Sequence, residues 1–578
     1  MRFPSLEVLT HRAVAVLRRF PWTLAAGAIT ATMAILASHN HGDKELARIA
    51  FVAVLGLPLT IALTLTAEAR GWGPVVRTAS LIGGVALLVL FYLGWPGIDD
   101  RTEGIRYLQF AVVLHLAVAF LPFLAVHHRV AFWQYNRRLF LGLLRSGLFS
   151  AVIFVGIAIA LGALDKLFGV DVRPNAYLHI WFVTAFVVNS WIFVAGIPED
   201  LGALADDVEY PKALKVFAQY ILTPLAFGYL LILLAYLVKI VAGGEWPNGW
   251  IGWLVASVAV TGLLGFLLVE PLRTDPAEGW IRIYARWLFL GLIPASLMLL
   301  TAFWKRIEPY GLTEPRSLGL LLGIWLLGTA VIFSIRPGTS IKAIPLSLSL
   351  LLAATLYGPV SVTRLSVQSQ GRRLASTLPA GSAAADPSEA SAALRFLMDH
   401  HAEAEIARRI GKPFPATNWS TIHRFGPARD SLGTRLMALA GATYREEGAS
   451  FRNRSDFNFA FEAGLPLSVE GFHWLATVNA SDTARHALGP DSMQALPGGP
   501  NGTVRIALGV DTIVFDLHPL LQQYRDSLLV GRGVPSSALR VAAEPGRRSG
   551  SLILRGVSGR RMADSLLLKH WYGTALIR

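Results

Sequence analysis

Residues able to do chemistry are thinly spread in this chain, and most of them are basic or aromatic. His115, in AVVLHLAVAF, lies inside a strongly apolar segment, where a neutral imidazole could relay protons, bind a substrate or bond a neighbouring helix. Asn189 lies in a second such segment and fits an interhelical hydrogen bond. A third group combines Lys239, Trp246, Arg306, Tyr310, Arg316 and Arg373, residue types that could hold an anionic group between guanidinium forks and aromatic rings. The same residues also suit a membrane boundary, where tryptophan and tyrosine form a belt and long basic side chains reach for headgroups.

Two histidine clusters invite a metal reading. SHNHGDKE holds His39, His41 and Asp43, and DHHAEAE places His401 and Glu405 on one face of an expected helix. Neither reaches a full ligand set, so no metal site and no cofactor is expected. Between Glu199 and Lys215, Glu199, Asp200, Asp206, Asp207 and Glu209 form an acidic connector whose spacing matches no metal loop. There are 0 Cys, which removes disulfides, thiolate metal sites and cysteine nucleophiles together. No phosphate-cradling glycine loop, zinc-protease helix or nucleophile elbow is present, so no familiar catalytic mechanism is indicated.

The elements that must position these residues are hydrophobic. Of 578 residues, 53% are hydrophobic and 16% charged, and the mean hydropathy is +0.50, which excludes an ordinary soluble protein. Residues 5–20 read as an interfacial amphipathic helix with Arg12, Arg18 and Arg19 on its polar side. About eleven apolar segments of membrane-spanning length then follow, the last at 344–362. A multi-pass bundle over 21–368 is therefore expected, then a linker over 369–393 rich in Ala, Ser and Gly. A soluble α+β domain over 394–578 completes the chain, with helical composition first and short strands after.

Charge sets the orientation. The formal net charge is +14, but much of the excess sits in short loops between apolar segments, so nucleic acid is not the expected partner and the lipid bilayer is. With the N-terminus in the cytoplasm, the inner segments carry seventeen Lys and Arg residues and the outer ones ten. That bias supports a cytoplasmic N-terminus, and an odd number of spans then exports the C-terminal domain.

Five ordered motifs carry a resemblance: IPED at 197–200, EYPKALKVFAQYILTPLAFGYLLILLAYLVKI at 209–240, EWPNGW at 245–250, RIEPYGLTEPR at 306–316 and GPVSVTRLSVQSQGRRL at 358–374. Together they resemble the DUF4153 family of bacterial inner-membrane proteins of unknown function. The resemblance implies a multi-pass bacterial inner-membrane protein, and brings no substrate, cofactor or catalytic residue. The leading expectation is an envelope sensing, assembly or partner-binding protein, its partner another envelope protein or an anionic lipid or glycan. A small-solute transporter and an envelope enzyme acting on a lipid-linked or glycan substrate remain alternatives.

Overall fold

In the computed structural model, residues 6–39, 43–98, 101–125, 128–206, 210–243, 251–378, 387–417, 427–445, 456–460, 474–479, 486–488, 491–496, 503–508, 511–517, 519, 540–543, 550–561 and 566–577 are described. The chain divides into two compact units, Met1–Gln370 and Gly371–Arg578.

The first unit is helical throughout. Helix α1 spans Leu6–Arg19 and α2 Pro21–His39. Asp43 then starts α3, Lys44–Ala69, by accepting the backbone N–H groups of Glu45 and Leu46 on one carboxylate oxygen, a side-chain cap for amides that have no helical partner. Proline opens α4, Pro74–Gly94, and α5 runs from Arg101 to Phe120. Helix α6, Arg129–Phe168, is 40 residues long, about 60 Å at the α-helical rise and twice the thickness of a hydrocarbon layer. Its first turns, where Trp133 and Tyr135 are buried, pack on the ends of other helices rather than on lipid. Trp133 Nε1 donates to Leu267 O and the Tyr135 hydroxyl to Val118 O, each at 2.7 Å.

Two helices carry π-helical turns. Helices α7, Pro174–Phe182, and α8, Asn189–Ala195, join through Val183–Val188, and α9, Lys212–Phe217, joins α10, Thr223–Gly243, through Ala218–Leu222. Gly27 of α2 meets the first of these turns so closely that a Cβ there would lie 2.3 Å from Phe186 O; only glycine allows the approach. Helices α11, Ile251–Val269, α12, Gly279–Tyr310, and α13, Glu314–Ile335, complete the long set. Ten helical stretches among the described residues are long and apolar enough to cross a membrane.

The expected eleventh span is shorter than its apolar run. Helix α14 covers Ala343–Ala354, about 18 Å of helix, and stops before Tyr357-Gly358-Pro359, where Gly358 takes φ +85° and Pro359 cannot extend a helix. The chain nonetheless continues along α5. Lys342 Nζ donates to Phe123 O at 2.9 Å, the Ser349 hydroxyl to Val113 O at 3.4 Å, the Gln109 amide to the Thr355 hydroxyl at 3.3 Å, and the Arg106 guanidinium lies 4.9 Å from the Tyr357 ring centre. Segment 342–357 thus runs antiparallel to α5 over almost its whole length.

The bundle core is aliphatic and aromatic: Phe266, Phe289 and Phe333 cluster with buried Leu288, Leu292 and Leu326. Where α3, α4 and α5 meet, Phe91, Trp95 and Tyr107 stack at 5.4 and 5.2 Å. Several buried hydroxyls bond within their own helices: Thr30, Thr60, Thr66 and Ser296 each donate to the carbonyl four residues back, and Thr60 also meets the Thr23 hydroxyl of α2 at 2.8 Å.

Helix α15, Val362–Thr377, carries the chain into the second unit, and α16, Pro387–Asp399, follows. The stretch expected to be a linker is thus helical at both ends, because VTRLSVQSQGRRLAST and PSEASAALRFLMD keep helix-forming residues through a Ser-rich composition; residues 379–386 lie outside the described residues. With α17, Glu403–Ile410, and α18, Pro427–Leu439, α16 buries Leu394, Leu397, Ile406 and Leu436.

The strands form two antiparallel sheets rather than one small one. In the first, β1 (Asp456–Ala460), β8 (Gly550–Arg561), β9 (Leu566–Ile577) and β2 (Trp474–Asn479) lie in that order, with β7 (Arg540–Ala542) also on β8. The second orders β3 (His486–Leu488), β4 (Asp491–Leu496), β5 (Thr503–Leu508) and β6 (Asp511–Asp516). Val504, Ile506 and Phe515 from the second sheet share one buried core with Leu552, Trp571 and Ala575 from the first, so the two pack face to face.

Candidate functional site

The α12–α13 connection, which carries the RIEPYGLTEPR motif, is built by side chains that close on its backbone. Arg316 Nη1 donates to Tyr310 O at 3.1 Å and Gly311 O at 2.7 Å, and its guanidinium lies 5.6 Å from the Tyr310 ring centre. From α15, the Gln370 amide donates to Tyr310 O and Leu312 O at 2.8 and 2.9 Å, while the Ser369 hydroxyl accepts the Leu312 N–H at 2.9 Å. Gly311 turns the chain with φ +67°, and a Cβ there would lie 2.7 Å from Gln370 Nε2. Tyr310 and Arg316 thus lie together in this loop, with the Arg316 guanidinium bonded to backbone carbonyls.

Lys239 is exposed on α10 and lines an apolar surface depression with Ile232, Ala235, Tyr236 and Leu254. Arg306 is exposed on α12. Arg373 belongs to the second unit, where its Nη2 lies 3.8 Å from Glu389. Trp246 falls outside the described residues.

His115 is corrected in its surroundings. It is exposed on α5, its Nδ1 pairs with Ala111 O of its own helix at 2.8 Å, and among the described residues it bonds no neighbouring helix. An apolar run shows that a residue lies at membrane depth but not which face of the helix it occupies. Asn189 follows the first π-helical turn, and its Oδ1 is buried without a hydrogen-bond partner among the described residues.

The histidine clusters split. His39 meets His179 of α7, ring centres 4.6 Å apart, and Ser38 bonds His179 Nε2 at 2.9 Å; His41 is outside the described residues. In the second unit His400 stacks on Phe396, Asp399 pairs with the buried Arg429 at 2.9 Å, and Glu405 is taken by Arg408 and Arg409. No group of three metal-ligating side chains occurs among the described residues.

The most connected polar assembly was not singled out from sequence. It lies where α1, α3, α4 and α8 end or begin. Arg19 Nε and Nη2 fork onto Glu68 at 3.0 and 2.7 Å, and its two Nη atoms also donate to Ile197 O and Pro198 O at 2.8 and 2.6 Å. Arg77 adds a bond to Arg19 O at 2.9 Å. The IPED motif thus has a structural meaning: Arg19 holds the carbonyls of Ile197 and Pro198, and Asp200 accepts the Gly202 and Ala203 amides. Glu199 is left facing a cavity of about 360 Å³ whose walls also include Arg12, Val16 and Phe20. At the same end of the bundle Tyr210 stacks on Trp133 at 5.4 Å and donates to Leu268 O, and burial pushes its hydroxyl up to about 12. Arg129 and Arg273 donate to the carbonyls of Pro337, Gly338 and Thr339, and Lys215 pairs with Glu278.

Comparison with known proteins agrees with this architecture. Residues 23–380 match the family described as Domain of unknown function (DUF4153). The Uncharacterized protein PM1469 of Pasteurella multocida (strain Pm70) is 22% identical over 322 residues, covering 55% of this chain and 52% of the relative, so the chain spans about half the length of the curated relative it matches. No solved structure matches. The family match spans the whole helical bundle, from α2 through the loop closed by Arg316 and Gln370: this polytopic membrane protein belongs to the DUF4153 family.

Proposed function

We propose that this protein is an inner-membrane scaffold that presents its C-terminal domain on the periplasmic face to an envelope partner. The observation that carries the reading is the antiparallel course of segment 342–357 along α5, from Lys342 beside Phe123 to Tyr357 beside Arg106. Although α14 is short, the chain returns to the side on which α5 begins. Ten long spans plus this return give an odd number of crossings, and the basic bias of the loops supports a cytoplasmic N-terminus. The C-terminal unit then leaves on the opposite face.

The interior of the bundle supports a scaffold over a transporter. A transporter site needs polar groups that line a wet space near the bilayer midplane. Here Thr30, Thr66 and Ser296 bond inside their own helices, His115 is exposed rather than central, and the depression beside Lys239 is apolar, which leaves the buried Oδ1 of Asn189 as a polar group that a transporter reading would have to use. Two sheets packed on one core make the second unit a stable body that can offer strand edges and loops to a partner.

The test is a pair of fusions after Arg578, one reporter active only outside the cytoplasm and one active only inside. The outside reporter is expected to be active. Activity of the cytoplasmic reporter alone would overturn the reading.

A further inference from the structure

The cavity beside α1 has charged walls of both signs, and the neighbouring hydrogen bonds show which charges are already committed. Arg19 is satisfied by Glu68 and by the carbonyls of Ile197 and Pro198. Arg12 and Glu199, both exposed on the cavity wall, take part in no hydrogen bond or ion pair among the described residues. The remaining accessible lining is largely apolar, with Ala15, Val16 and Ala195. An occupant must therefore carry an anionic group and a cationic group a short distance apart, joined to an apolar body.

Helix α1 shows where that body comes from. It is amphipathic, and its Val14 and Leu17 are 40% and 48% exposed, a pattern that suits the interfacial layer of a membrane. We propose that this cavity seats the headgroup of an ethanolamine phospholipid, the phosphate on Arg12 and the ammonium on Glu199, with the glycerol and first acyl carbons against Ala15, Val16 and Ala195. A guanidinium forks onto phosphate oxygens and a carboxylate accepts from an ammonium, so each wall charge meets its complement. A purely anionic lipid would satisfy Arg12 and leave Glu199 facing negative charge. The inference goes beyond the scaffold reading and stands whichever way the bundle is oriented.

The experiment uses the full chain, stripped of lipid in detergent and offered an equimolar mixture of phosphatidylethanolamine and phosphatidylglycerol, with retained lipid measured by mass spectrometry. Wild type is expected to retain the ethanolamine lipid several-fold over the glycerol lipid. Arg12→Gln is expected to weaken retention of both by about tenfold, the loss of one charge-assisted contact. Glu199→Gln is expected to abolish the preference while leaving the glycerol lipid bound. Both side chains are exposed, so unchanged elution and melting temperature will show that the variants fold. Equal retention of the two lipids by wild type, or a preference that survives the double variant, would overturn the proposal. Excess soluble glycerophosphoethanolamine is expected to displace nothing; displacement would assign the cavity to a soluble phosphodiester and overturn the lipid assignment.

Discussion

Arg19 and Glu68 form a two-pronged ion pair between the end of α1 and the end of α3, at 3.0 and 2.7 Å, with both side chains less than one-fifth exposed. The guanidinium that makes this pair also holds the IPED backbone, so one carboxylate fixes the meeting point of α1, α3 and α8. Removing the carboxylate leaves a largely desolvated cation, a loss of roughly 3 kcal/mol for pairs of this kind. Glu68→Ala is therefore expected to lower the melting temperature of the detergent-solubilised protein. Arg19→Lys should recover part of the charge interaction but not the fork. Equal stability of Glu68→Ala and wild type would show that the pair contributes nothing net.

The α12–α13 connection yields a second prediction. Gly311→Val places a β-branched side chain at φ +67° and pushes its Cβ into the Gln370 amide, which costs backbone strain on the order of 1–3 kcal/mol and two hydrogen bonds. Gln370→Leu removes the same bonds without the strain and is expected to cost about 1–2 kcal/mol. Limited proteolysis between Tyr310 and Thr313 reads both: cleavage should be faster in each variant, and fastest in Gly311→Val. Unchanged cleavage in Gln370→Leu would mean that Arg316 and Ser369 hold the loop without it.

What could be read from sequence follows from the range of the interaction concerned. Membrane spans were legible because the hydrocarbon layer imposes a local rule on about twenty consecutive residues, and the one that fell short did so at Gly358-Pro359, a stop signal visible in the sequence. The loop of RIEPYGLTEPR was legible as a turn, but its partners Ser369 and Gln370 come 57 to 60 residues later, and no local pattern pairs them. Arg19 and Glu68 are 49 residues apart, each unremarkable in its own segment. The exposed position of His115 was not legible, because a uniformly apolar helix has no polar face to show which side meets its neighbours. The two sheets were hidden for a related reason: β1 pairs with β8 and β2 with β9, contacts that span most of the domain.

In the second unit, alkaline pH should separate wild type from Tyr444→Phe. Burial, and then the charge of Asp430, push the Tyr444 hydroxyl from its ordinary value of 10.0 up to about 12, and the hydroxyl donates to Asp430 at 3.0 Å. The fold thus favours the neutral phenol. The stabilisation is fully present below pH 10 and is lost as pH rises through 12, because the unfolded chain gives up the proton first. Tyr444→Phe is expected to be less stable than wild type near neutrality, by the lost hydrogen bond, and to lose less stability between those two pH values. Parallel stability curves would place the phenol in an ordinary environment.

The absence of cysteine makes orientation measurable with single substitutions in an otherwise thiol-free chain. Lys166, near the end of α6, and Arg336, directly after α13, are both exposed and fall on opposite sides of the membrane in the proposed topology. Lys166→Cys is expected to react with a membrane-impermeant maleimide in intact spheroplasts, while Arg336→Cys should react only after the membrane is opened. Neither position lies in the Arg19–Glu68 assembly or the loop of Arg316, so altered folding will not mimic the pattern. The opposite labelling would put the N-terminus outside against the seventeen-to-ten basic bias. It would also return the C-terminal domain to the cytoplasm, since segment 342–357 ends on the same side as the start of α5 in either orientation.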